Sequence, residues 1–196
     1  MDVTATNIVA ADGFLYSLVW RRGDVPKASR NCLIRAPEGD TDTWSVWDGE
    51  TFVPLAERDA DGWTVHTLDC AGVGPRGLPA MRGLVYAPAE KTFVAVFQHR
   101  RRNDDGKVEA GFFTATSKDL VRWSAPRLLL AVPLRAGEAD GDGFARYPSL
   151  IDETSPDRNF GTVGDRAALI YVRIHPRTED APARRELVAV PLRITP

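Results

Sequence analysis

Ser117-Lys118-Asp119-Leu120-Val121-Arg122-Trp123-Ser124-Ala125-Pro126 reads as the end of one strand, a tight turn and the start of another. The run before it, Ala110-Gly111-Phe112-Phe113-Thr114-Ala115-Thr116, is aromatic and β-branched, which suits a pleated surface. Ser117 and Asp119 are turn formers whose short side chains bond backbone N–H groups two residues on. Trp123 then offers a large apolar plate to the next layer. A related phrase stands earlier, Asp40-Thr41-Asp42-Thr43-Trp44-Ser45-Val46-Trp47-Asp48-Gly49. Acidic turn residues again precede a tryptophan and a short strand. Recurrence within one chain points to a repeated β unit.

Working outward, the repeat widens. Asn7-Ile8-Val9 and Phe14-Leu15-Tyr16-Ser17-Leu18-Val19-Trp20 read as two strands joined at Ala11-Asp12-Gly13. Met81-Arg82-Gly83-Leu84-Val85-Tyr86 and Thr92-Phe93-Val94-Ala95-Val96-Phe97 have the same form, joined at Pro88-Ala89-Glu90-Lys91. A third copy runs from Tyr147-Pro148-Ser149-Leu150-Ile151 to Ala167-Ala168-Leu169-Ile170-Tyr171-Val172, with a longer connector from Asp152 to Asp165. The starts lie roughly 65–75 residues apart, against ~40–50 for common blade repeats, and unequal loops account for the difference. Each unit continues into a third strand. The first two add the acid–tryptophan turn and a fourth. Four antiparallel strands per unit is the blade of a β-propeller. The expected fold is all-β, a propeller of four-stranded antiparallel blades with about three blades present, at about 1–60, 61–136 and 137–196. The Gly-rich acidic run Gly137 to Gly143 and the stretch Ala56 to Gly62 mark the boundaries.

Ser117-x-Asp119-Leu120-Val121-x-Trp123 resembles the blade signature of five-bladed propeller glycosidases such as arabinanases and fructosidases. It is also similar to the sialidase Asp-box, from which it departs at Val121 and Arg122. Arg146-Tyr147-Pro148-Ser149-Leu150-Ile151-Asp152, and Asn159-Phe160 leading to Leu169-Ile170-Tyr171-Val172-Arg173, resemble glycosidase-like propellers as well. The resemblance implies a carbohydrate-active protein, glycoside hydrolase-like, that uses carboxylate acid–base chemistry on glycosidic bonds. A non-catalytic carbohydrate-binding propeller and a protein-interaction propeller are the alternatives.

Composition bounds the rest. At 196 residues, 43% hydrophobic and 27% charged, the chain can bury one substantial core. It has no long apolar run and no basic-then-apolar leader, so no membrane span or secretory signal is expected. A net charge of −2 gives no reason to expect nucleic acid. Arg100-Arg101-Arg102 reads as a hairpin tip rather than a phosphate site. His66, His99 and His175 form no zinc pattern, and no glycine-rich nucleotide loop occurs, so neither metal nor cofactor is expected. Cys32 and Cys70 are expected as buried free thiols, a disulfide being the alternative.

A propeller usually closes with four to eight blades. A three-bladed arc leaves sheet flanks and a channel wall uncovered. Completion is expected from further N-terminal blades or from a second copy. The channel is expected along the first strand of each unit, whose polar residues are Asn7, Arg82, Arg146 and Tyr147. Loops feeding these strands add Asp12, Arg76, Asp140 and Asp142. A glycosidase flanks the scissile bond with two carboxyl groups. Asp142 and Glu109 are the candidates, although Glu109 also suits a solvent-facing strand position. Arg146 could hold a carboxylate or sugar hydroxyls in its planar fork, and Tyr147 could stack on a sugar ring. Equally, Tyr147-Pro148 could anchor the strand start, with Arg146 paired to Asp142 as scaffold. Asn7, Arg82 and His99 complete the expected carbohydrate-binding set. Trp44, Trp47 and Trp123 read as packing between units, with sugar platforms as the alternative.

Overall fold

A computed structural model describes residues 3–23, 28–58, 60–61, 64–66, 69–75, 77–138, 143–179 and 181–193. Strands dominate, and no α-helix occurs among the described residues. The first sheet holds β1 (Val3–Ala5), β2 (Val9–Ala11), β3 (Phe14–Arg21), β4 (Arg30–Pro37), β5 (Ser45–Trp47) and β6 (Phe52–Pro54). A small hairpin follows, β7 (Ala56–Arg58) with β8 (Thr64–His66). The second sheet is β9 (Gly83–Ala87), β10 (Thr92–Arg102), β11 (Val108–Ser117) and β12 (Arg127–Ala131). The third is β13 (Phe144–Asp152), β14 (Ala167–His175) and β15 (Arg184–Pro191). The second and third sheets are antiparallel meanders in chain order, each opening with a strand pair that the repeat predicts; the first has six strands where the repeat predicts four, and its β1 and β2 both pair with β3.

The acid–tryptophan turn works as its residues dictate. Ser117 Oγ accepts the Asp119 N–H, and Asp119 Oδ1 accepts the N–H groups of Val121 and Arg122 at 3.0 and 2.7 Å. Leu120 is thereby held at a left-handed φ of 62°, and the Trp123 indole N–H donates to its carbonyl. Trp123 is buried with Val73 and Leu78, which lie on the link between the first two sheets. In the earlier phrase it is Trp47, not Trp44, that packs on this cluster. Trp44 is half-buried at the turn exit, and its carbonyl accepts the Leu55 N–H.

Strand periodicity explains the packing. Phe93, Ala95 and Phe97 of β10 face the first sheet, together with Leu18, Leu33 and Phe113. Val94 and Val96, the residues between them, face the third sheet with Leu150, Leu169 and Tyr171. The second sheet is covered on both faces, which is why β10 opens as an unbroken apolar run. The far side of the first sheet carries a smaller cluster of Val19, Val46, Cys32 and Cys70. Here the free-thiol expectation is corrected: Cys32 and Cys70 form a disulfide, with their Cα atoms 5.7 Å apart. Spacing in sequence could not reveal this. An isolated bridge between Cys32 and Gly72 lays the 69–73 segment against β4 and brings the two sulfurs together.

Two first-strand expectations are also corrected. Asn7 does not start a strand but stands in the break between β1 and β2, which lie end to end along β3. Tyr147 lies inside β13, at a left-handed φ of 57°, where the register with β14 shifts between Arg146 and Ser149. Pro148 has no N–H to give the ladder, so the strand bulges there instead of beginning there.

The first strands meet one another. Leu84 of β9 donates its N–H to Asn7 Oδ1 at 2.9 Å and accepts from Asn7 Nδ2 at 2.8 Å. Two residues on, Tyr86 donates to the Gly161 carbonyl and accepts the Val163 N–H. The edge of β9 away from β10 is thus occupied by an asparagine amide and by the β13–β14 connector. That connector also touches the first sheet: a Cβ on Gly161 would lie 3.2 Å from the Ile8 carbonyl oxygen.

Candidate functional site

A cleft of about 300 Å³ opens between the second and third sheets, where β9 and β13 begin and β10 ends. Three expected residues line it: Arg82, the residue leading into β9; His99 of β10; and Arg146 of β13. Gln98, Arg100, Arg135 and Glu138 share the wall. A single end of the sheets therefore gathers side chains from positions as far apart in sequence as Arg82 and Arg146.

The turn over residues 135–138 builds much of this wall. Glu138 donates its N–H to the Arg135 carbonyl, and Gly137 has a φ of 77°, as a type II turn requires at its third residue. The turn folds the Glu138 carboxylate back onto its own loop. Its Oε2 accepts the Leu134 and Arg135 N–H groups at 2.8 and 3.1 Å, and its Oε1 pairs with Arg100. In sequence, Gly137 to Gly143 stands as a unit boundary that offers Asp140 and Asp142 as candidates, whereas Arg135 and Glu138 were not among the expected site residues. The signal was present in Arg135-Ala136-Gly137-Glu138, a Gly placed for a reverse turn.

Among the described residues the cleft wall carries an excess of positive charge. Four arginines line it against one carboxylate, and that carboxylate is already committed to Arg100. Among the described residues, Arg82 and Arg135 make no side-chain ion pair, while the Arg146 guanidinium lies 5.3 Å from the Phe144 ring centroid. His99 stacks edgewise on Phe113, with ring centroids 5.2 Å apart. Burial, helped by the nearby Arg101 charge, holds its pKa below the ordinary histidine value.

The remaining expected residues have other surroundings. The Asn7 amide is committed to Leu84. Tyr147 is 62% exposed and does not line the cleft. Glu109 pairs with Arg101 across the β10–β11 ladder at 2.9 Å and faces a neighbouring depression instead. Asp142, with Asp140 and Arg76, lies outside the described residues. No three His, Cys, Asp or Glu side chains come together as metal ligands among the described residues.

A second hollow, of about 370 Å³, lies where β4 meets the Gly72–Leu78 link. Its polar side chains are taken up in structure. Arg30 donates to the Cys70 and Ala28 carbonyls, and Asn31 bridges Pro79 and Met81. The arginine-lined cleft is therefore the stronger candidate. The chain matches no protein-family model and no curated protein sequence.

Proposed function

We propose that this chain is a glycosidase-like propeller unit that binds carbohydrate in the cleft between its second and third sheets. The observation that carries the reading is the meeting of Arg82, His99 and Arg146 around one hollow at the start of the first strands. The meander order of the sheets, and the way their faces pack in sequence, support the propeller part. Binding is favoured over hydrolysis. An acid–base pair needs two carboxyls free to flank a glycosidic bond. Glu109 is committed to Arg101, and Glu138 to Arg100 and two backbone N–H groups. A hydrolase would need Asp142 together with a second carboxyl released from its present partner.

One further observation supports an assembly, either with a second copy or with additional blades. On the third sheet, Leu169, Tyr171, Val188 and Val190 face inward. The alternate residues, among them Ile170, Val172 and Leu187, share the opposite face, and Leu187 is 75% exposed.

The test is titration of a glycan panel by calorimetry, using wild type, Arg82→Ala and Arg146→Ala. Hydrolysis of arabino-, fructo- and sialo-glycosides is followed in parallel with Asp142→Asn. Binding lost in both arginine variants, with no turnover, is the expected outcome. Affinity unchanged in both variants refutes the site. Turnover abolished by Asp142→Asn favours the hydrolase.

A further inference from the structure

The charge balance of the cleft narrows the class of ligand. Of the ionisable side chains on its described wall, Arg82, Arg100, Arg135 and Arg146 are cationic and Glu138 is anionic. Glu138 does not face an incoming ligand as a free acceptor. Two backbone N–H groups of its own turn and the Arg100 guanidinium fill its oxygens. Arg100 is correspondingly neutralised. That leaves Arg82, Arg135 and Arg146 with guanidinium forks unmatched by any carboxylate among the described residues. A guanidinium fork binds two oxygens of a carboxylate or a tetrahedral oxyanion by two parallel N–H···O bonds, a match that a neutral hydroxyl cannot equal. Arg82 and Arg135 are exposed and Arg146 is half-buried, so all three can be reached from solvent. Three like charges lining one hollow favour an anion there over a neutral group.

From this we infer that the cleft takes an anionic saccharide, one whose carboxylate or sulfate group is held by Arg82 and Arg146, with Arg135 at the rim. The inference rests on the carbohydrate reading above only for the sugar part of the ligand. The anionic part stands on the arginines alone. Shared recognition is of the oxyanion, and the sugar ring would lie toward His99 and Gln98, whose Nε2 already donates to the Ala145 carbonyl at 3.4 Å.

The experiment separates the two parts. Three probes are titrated into the intact protein at low salt: oligogalacturonate, its fully methyl-esterified form, and inorganic sulfate. Binding is read from calorimetry and from the arginine Nε–H resonances. The expected result is that oligogalacturonate binds at least about tenfold more tightly than the neutral ester. The preference should disappear in Arg82→Gln/Arg146→Gln, be partly restored by lysine at the same positions, and shrink as salt rises. Sulfate should shift the Arg82 and Arg146 Nε–H signals in wild type. If acid and ester bind equally and both are lost in the double variant, the anion inference falls while the carbohydrate reading survives. If sulfate shifts the arginines but neither oligosaccharide binds, the anion site stands and the carbohydrate reading falls. If neither the acid nor sulfate perturbs the arginines, the inference is overturned. Thermal unfolding of each variant confirms that lost binding is not lost folding.

Discussion

The joint between the first two sheets depends on two asparagine amides, and Asn31 is the more informative to remove. It is 2% exposed. Its Nδ2 donates to the Pro79 carbonyl at 3.1 Å, and its Oδ1 accepts the Met81 N–H at 3.0 Å. Asn7 does the same for Leu84. Between them the two side chains act as a surrogate strand along residues 79–84, the segment that delivers Arg82 to the cleft. Asn31→Ala leaves a buried donor at Met81 and a carbonyl at Pro79 without partners. Each orphaned group costs about 1–3 kcal/mol, so the loss should be roughly 2–6 kcal/mol. That is a large share of the roughly 5–15 kcal/mol available to a domain. Urea unfolding at equilibrium should show a lower midpoint with an unchanged slope. Asn31→Asp keeps the acceptor but buries a charge against a carbonyl. It should be worse than alanine at pH 7 and recover on acidification, as the protonated carboxyl regains a donor. Because Asn7 and Asn31 hold one segment, the double alanine variant should cost less than the sum of the singles. An Asn31→Ala loss under about 0.5 kcal/mol, the range of inert surface changes, would refute the surrogate-strand argument.

Three other expectations follow from the same geometry. Trp123→Ala removes a buried ring from between the turn and the inter-sheet link, and should cost roughly 3–5 kcal/mol in urea unfolding; a loss below about 1 kcal/mol would contradict its packing role. The Cys32–Cys70 disulfide closes a separation of 38 residues, so Cys32→Ala/Cys70→Ala should lose about 3–4 kcal/mol, and reductant should lower the wild-type midpoint but not that of the variant. Asp152 is buried, and its carboxyl is held below the ordinary value by the Thr154 hydroxyl, against the opposing effect of burial, and then by the Thr154 and Gly164 N–H groups and the Arg166 charge. A depressed native pKa gives stability that is full above the unfolded value and is lost as pH falls through the native one. Melting temperature should therefore decline below about pH 4, with a shallower acid limb in Asp152→Asn.

The sheet meanders were legible in the chain because their causes are local. Alternating and β-branched runs define strands. Asp119 and Ser117 close their turn with their own side chains, whatever the surroundings. The unbroken apolar run from Phe93 to Phe97 marked a strand, and that both its faces are covered emerged only from the packing of the sheets. The arginine positions Arg82 and Arg146 could be singled out because each sits at the entry to a repeat unit.

What the sequence could not determine depends on meetings between distant residues. Cys32 and Cys70 bond only because the 69–73 segment lies along β4. Asn7 became a clamp on Leu84, a residue 77 positions away, through a contact that neither neighbouring sequence foretells. Glu138 illustrates the difference best. As a residue type it is a candidate acid, yet its turn folds it against its own N–H groups and Arg100, so it lends the cleft no free negative charge. Local propensity decides where strands and turns fall. Which side chains confront one another, and so the charge a ligand meets, is set only when sheets far apart in sequence pack face to face.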